Sequence, residues 1–246
     1  MAKNTIFCVL LELIGSLVLG FAISEARNST RAYGGFVGMW LMIGAYATCY
    51  RATGGSLNPA LTLANILRPD KLPGYDLATS LMLIPAQIIG FMLGVLFRWW
   101  VEQVPGELRF KSVATNDDSL YFSEGTCFQF LAATILAIVY LTQTGKTTCI
   151  SKDTGIQTFA ISVAHTGLIV WSLSWAGGGI NPAYAWAQDF WDLMDDGDKQ
   201  SMYCTFIYIG CAFGGMLLAL AMYAFVFIKA YDVTANEEIN EETNKA

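Results

Sequence analysis

The triplet Asn-Pro-Ala occurs twice, as Asn58-Pro59-Ala60 and Asn181-Pro182-Ala183, 123 positions apart in a chain of 246 residues. These residue types suit the first turn of a helix. An Asn side-chain oxygen accepts a backbone N–H that the helix leaves without a partner, and Pro at the first helical position sacrifices no donor. The Asn amide N–H groups then stay available to a third party. Each triplet follows a glycine-rich stretch, Gly54-Gly55 and Gly177-Gly178-Gly179, and leads into about ten helix-compatible residues. Ten residues make ~15 Å of helix, half the thickness of a bilayer core. If two such helices meet end to end, their positive dipole ends face one another. A small molecule passing between them would accept hydrogen bonds through its lone pairs, while cations and hydronium would be repelled. The plainer alternative is that both Asn residues serve only as caps.

The rest of the chain shows what must position these helices. Apolar residues make up 54% and charged residues 14%, where a soluble domain carries about 25% charged residues. The charges fall in islands between six apolar segments, about 6–24, 34–52, 77–100, 121–142, 156–175 and 201–228. Each segment is long enough to cross ~30 Å of hydrocarbon as a helix, the form that satisfies its own backbone in lipid. Each triplet follows the second segment of its half. Three spans per half place the halves in opposite orientations, an inverted repeat that locates a site near the midplane. The fold class expected is therefore all-α and integral to the membrane, with six spans and two re-entrant half-helices. The channel domain runs over 1–231, with repeats at about 1–103 and 119–231. An acidic tail, 232–246, reads as disordered. Glycines four apart, Gly90 with Gly94 and Gly210 with Gly214, allow close helix approach.

Loop charge bears on orientation. Cytosolic termini collect Lys3, Arg51, Arg68, Lys71, Lys146, Lys152 and Lys229 on the cytosolic side, a modest positive-inside bias. The opposite loops then hold Asp117, Asp118, Asp189, Asp192 and the Asp195–Asp198 run, which lacks calcium-loop spacing and reads as a solvated loop. Asn28, in Asn-Ser-Thr, becomes a candidate glycosylation site, with a chance sequon as the alternative. Whether the membrane is the plasma membrane or an intracellular one is open. The six cysteines read as reduced and packed, without a disulfide framework. Metal ligands, cofactor motifs and nucleophile–base pairs are not recognisable, and the chain does not read as an enzyme. The net charge of −6 argues against nucleic acid as a partner.

Over nearly its whole length, excepting the tail, the sequence resembles the aquaporin (major intrinsic protein) family. The two triplets carry the resemblance, with Glu12 in the first span, Gln87 in Ala-Gln-Ile-Ile-Gly, Glu124 at the fourth span, and Gly214-Gly-Met-Leu-Leu-Ala219 in the sixth. It implies a homotetramer in the lipid bilayer, each subunit passing water and small neutral solutes. It also implies that Glu12 and Glu124 accept backbone N–H groups from the half-helix loops. A proton relay is the competing reading of these two carboxylates. Most of the family has an Arg directly after the second triplet, where this chain has Tyr184. The candidate selectivity filter falls on Gly38, Ile169, Gly178 and Tyr184. Without the Arg, the chain resembles the divergent, unorthodox aquaporins. Two glycines suggest a wide mouth unless Tyr184 fills it, and the missing cation removes a barrier to positive solutes. His165, one turn before Ile169, either lines the pore or packs by a hydrogen bond. Tyr208 lies near a position where water-selective relatives carry an aromatic. The functional expectation is a passive channel for water, with glycerol or hydrogen peroxide as further candidate solutes. The alternatives are a scaffold or junction protein that conducts little, and a proton-coupled transporter.

Overall fold

Long apolar runs leave a chain in lipid no choice but to close its hydrogen bonds within each segment, and the computed structural model of the protein is accordingly helical. It describes residues 2–27, 34–72, 76–102, 119–196 and 199–232. The candidate sequon at Asn28 and the expected disordered tail from residue 233 onward lie outside the described residues. Among the described residues eight α-helices follow in order: α1 Ala2–Arg27, α2 Gly34–Thr53, α3 Pro59–Leu67, α4 Leu77–Glu102, α5 Ser119–Thr144, α6 Thr154–Ala176, α7 Pro182–Asp196 and α8 Lys199–Met222. A π-helical turn, Tyr223–Phe227, prolongs α8.

Five of these helices, α1, α4, α5, α6 and α8, are long and apolar enough to cross a membrane. The sixth expected span is α2, whose 20 residues are diluted by glycines, Tyr46, Tyr50 and Arg51. Outward-facing Ile6, Phe7, Leu81, Met82 and Phe225 are exposed, as side chains solvated by lipid are. The half-helices are unequal: α3 has 9 residues and α7 has 15. The second therefore exceeds the ten-residue expectation. Its last turn takes in Asp195 and Asp196, which the sequence placed in a loop.

The packing is the same in both halves. α1 lies against α2 and α4, and α3 against α4; likewise α5 lies against α6 and α8, and α7 against α8. The halves interlock through α2 with α6, α4 with α7, and α3 with α8. Cys8 Sγ donates to the Ala52 carbonyl at 3.6 Å, so the start of α1 and the end of α2 share one face, hereafter the N-face. Arg98 pairs with Glu25 at 2.9 Å, which puts the ends of α1 and α4 together on the far face.

Glycines draw these helices close. A Cβ on Gly90 or Gly94 would lie 2.4 or 2.3 Å from the carbonyl of Leu13 or Leu17 on α1. On Gly215 it would lie 2.6 Å from the Phe130 carbonyl on α5. Gly210, by contrast, has open space around it.

Candidate pore

Both triplets open their helices as capped N-termini. Asn58 Oδ1 accepts from Ala60 N at 2.9 Å, and Asn181 Oδ1 accepts from Ala183 N at 3.0 Å. The first regular turns close from Thr62 N to the Asn58 carbonyl and from Ala185 N to the Asn181 carbonyl. The loops ahead of them turn on glycines in the left-handed region, Gly54 and Gly55 in one half, Gly177 and Gly178 in the other. Only glycine enters that region without a steric cost. Asn181 Nδ2 donates to the Leu57 carbonyl at 2.8 Å, so the two N-termini meet inside the bundle. Both Asn side chains are buried.

The loops are held by different chemistry. In the first half Leu57, also in the left-handed region at φ 44°, donates its N–H to Glu12 Oε2 at 3.1 Å. Gln87 Nε2 donates to the same oxygen at 2.6 Å, and Thr53 Oγ1 donates to Glu12 Oε1. A branched side chain in this conformation is strained by about 1–3 kcal/mol, and the fully buried Glu12 carboxyl group helps offset that by accepting the Leu57 N–H. In the second half Gln129, fully buried, donates through Nε2 to the Gly179 carbonyl. Glu124 lies five residues earlier and is exposed. The position that faces the second loop is therefore Gln129, a residue the sequence reading passed over. One amphipathic clue existed: Gln129 lies between apolar neighbours on a span, whereas Glu124 stands at its polar end.

At the N-face, α3 ends on a buried cation. Arg68 is fully buried and pairs with Asp70 through Nε at 2.8 Å. It also donates to Thr144 Oγ1 at 2.7 Å, to Tyr223 Oη at 2.8 Å and to the Leu141 carbonyl at 3.3 Å. A positive charge at a helix C-terminus suits the dipole. Tyr140 Oη, accepting from Asn65 Nδ2, donates to the Gly54 carbonyl at 2.9 Å and so ties α3 and its loop to α5. A cavity of about 580 Å³ opens on this face beside Gly54, with Tyr50, Arg51, Lys146, Cys149 and Lys152 in its wall.

At the far face, Ile169 and Tyr184 are fully buried. Ile169 Cγ2 lies 3.1 Å from where a Cβ on Gly178 would be. The Tyr184 ring meets Phe91 edge-on, and its hydroxyl bonds Gln188 Oε1 at 3.2 Å. Gly38 is placed differently from the expectation of a residue opening the mouth. A Cβ there would lie 2.7 Å from Ala26 Cβ and 2.8 Å from the Ala22 carbonyl. Its missing side chain makes room for α1. His165 is buried one turn below Ile169, with Nδ1 2.9 Å from Tyr46 Oη. Its Nε2 has no protein partner among the described residues. Tyr208 is buried in α8. Among the described residues no group of three His, Cys, Asp or Glu side chains could hold a metal ion.

A bundle of this kind, with two capped half-helices meeting at their N-termini, defines a class of membrane protein. The family described as Major intrinsic protein matches residues 4–223. The chain belongs to that family and is an integral, multi-pass membrane protein. Among solved structures, the X-ray structure of the aquaglyceroporin from Plasmodium falciparum shares the fold with a TM-score of 0.76. At 15% identity, the match covers 93% of this chain and 99% of that chain. No curated protein matches the sequence.

Proposed function

We propose that the chain is a passive channel for water and small uncharged solutes. The observation that carries this reading is the meeting of the two caps. Each Asn spends its oxygen on its own helix, and Asn181 reaches the loop of the other half. The amide N–H groups of Asn58 and Asn181 can then both donate to one water. Such a water has both lone pairs engaged and its hydrogens turned outward, so it cannot accept a proton from a neighbour along the axis, and the facing dipole ends oppose cations. His165 fits the lining: with Tyr46 bonding Nδ1, the neutral ring can turn an Nε2–H donor toward the path. Glu12 favours the channel over a proton-coupled transporter, because its carboxylate is committed to Leu57, Gln87 and Thr53. Glycerol joins water as a candidate solute because the solved neighbour is an aquaglyceroporin. A homotetramer with one pore per subunit is the assembly that family membership favours, with the exposed apolar helix faces in lipid or against neighbouring subunits.

The test is stopped-flow light scattering on proteoliposomes, first under an impermeant osmolyte and then in glycerol. Replacing Asn58 and Asn181 together with Leu should reduce water flux to that of empty liposomes while the protein stays inserted. Flux at the unmodified level in that variant would sink the assignment. No flux from the unmodified, inserted protein would turn the reading to a scaffold.

A further inference from the structure

The place after the second triplet holds a tyrosine, yet a guanidinium stands beside it. Arg27, the last residue of α1, donates through one terminal nitrogen to Tyr184 Oη at 2.9 Å. Its Cζ lies 5.5 Å from the centroid of the Tyr184 ring. We infer that Arg27, from a helix that holds neither triplet, supplies the cation of the far mouth and sets which solutes pass there.

Four positions around Arg27 support the assignment, and two of them are glycines. Gly178 is in the left-handed region at φ 74°, and a Cβ on it would lie 3.5 Å from Arg27 Cγ and 3.1 Å from Ile169 Cγ2. The bare backbone of the second loop thus lies between the arginine stem and Ile169. Gly38 lets α2 close on Ala22 and Ala26, bringing inward the turn from which Arg27 departs. Tyr184 holds the guanidinium by its hydroxyl, which in turn bonds Gln188, whose Nε2 reaches Asp192 Oδ1 at 3.2 Å. Ile169, fully buried, packs against Gly178. Of the four residues that mark the filter by their spacing, Tyr184 bonds Arg27, Gly178 lies beside its stem, Gly38 admits the turn that carries it, and Ile169 packs against Gly178.

The charge also suits the task. Arg27 is only partly buried, as a group facing a water-filled mouth would be. A planar guanidinium keeps its charge at any physiological pH and offers several fixed donors. At the mouth it would repel cations and hydrogen-bond passing water or polyol oxygens. The mouth is then neither as wide nor as neutral as a tyrosine after the second triplet suggests by itself.

The inference rests on the channel reading and is tested in the same proteoliposomes. Water, glycerol and methylammonium entry are compared for the unmodified protein, Arg27→Leu, Arg27→Lys and Tyr184→Phe. A unit charge near the path changes cation entry by about tenfold or more. Arg27→Leu should raise methylammonium entry by that factor and raise the glycerol-to-water ratio. Arg27→Lys should keep cation exclusion while relaxing glycerol discrimination, because it retains charge without the planar fork. Tyr184→Phe, which removes one hydroxyl and no charge, should move the glycerol ratio part of the way. If Arg27→Leu is inserted and conducts water with unchanged methylammonium and glycerol entry, Arg27 is only a helix-end charge and the inference is overturned. Should Arg27→Leu fail to insert, Tyr184→Phe and Arg27→Lys decide. An unchanged glycerol ratio in both overturns the inference, and a changed ratio in both supports it. Absence of water flux in the unmodified protein removes the channel reading and this inference together. Loss of flux in Asn58→Leu/Asn181→Leu with no effect at Arg27 removes only this inference.

Discussion

The two mouths of the bundle are built from the same pair of side chains put to different use. At the N-face, Arg68 donates to Tyr223 Oη at 2.8 Å; at the far face, Arg27 donates to Tyr184 Oη at 2.9 Å. Each guanidinium also lies within ~6 Å of its tyrosine ring, in cation–π range. Arg68 is fully buried and neutralised by Asp70. Arg27 keeps partial exposure at a helix end. What separates a structural cation from one that can meet a solute is its surroundings, since residue type and tyrosine partner are the same. A buried pair is costly to break because the survivor is left charged in a poor solvent. A partly exposed arginine at a helix end, as Arg27 is, should be less costly to remove.

The largest effect expected from this contrast is on stability. Arg68→Ala leaves Asp70 without its cation and removes a donor from Thr144 and Tyr223, and should destabilise the fold by about 3 kcal/mol. Arg27→Ala should cost under about 1 kcal/mol. Thermal unfolding in detergent, followed by loss of helical circular dichroism, reads both. Equal losses at the two arginines would erase the distinction between the mouths. Next in size is the pair of carboxylates in the spans. Glu12→Gln turns an amide donor toward the N–H of Leu57 or the amide of Gln87, and should destabilise by about 1–3 kcal/mol. Glu124→Gln, on an exposed side chain, should stay within about 0.5 kcal/mol. A large loss at Glu124, in the same unfolding assay, would mean that the second loop depends on it and not on Gln129.

The smallest effect lies at the start of α4. Asp76 caps that helix by accepting from Thr79 N at 2.6 Å, a bond that holds its carboxyl below the ordinary range. The folded state favours the ionised form, so this contribution is complete above the ordinary carboxylate range and is lost as pH falls through it. Asp76→Asn should flatten that part of the pH–stability curve slightly. An identical acid limb in both proteins would show that the cap does not titrate with folding.

Legibility in the sequence followed the range of the interaction. The helices and the two caps follow from local chemistry: apolar runs of bilayer length, Asn before Pro, glycines before Asn. All of these act within a few residues, and the family resemblance rests on the same motifs. Gln129 was missed because a carboxylate five residues away looked like the counterpart of Glu12; only the phase of α5 shows which of the two faces the loop. Arg68 read as a loop cation because its partners Asp70, Thr144 and Tyr223 are spread over three segments. Gly38 was read as an open filter position because spacing along α2 does not reveal which neighbour the Cβ would strike.

By itself the sequence determined that this chain lives in a membrane, folds as spanning helices around two half-helices, and belongs with the channels that carry the doubled triplet. Hydrophobic length and helix capping are set by neighbours in the chain, so no partner need be known. Only the tertiary structure decided which residues surround the ends of those half-helices. Arg27 and Tyr184 are separated by 157 positions, and Glu12 and Leu57 by 45. Such pairs form when helix packing, governed by where glycines permit close approach, brings distant turns to the same depth in the bilayer.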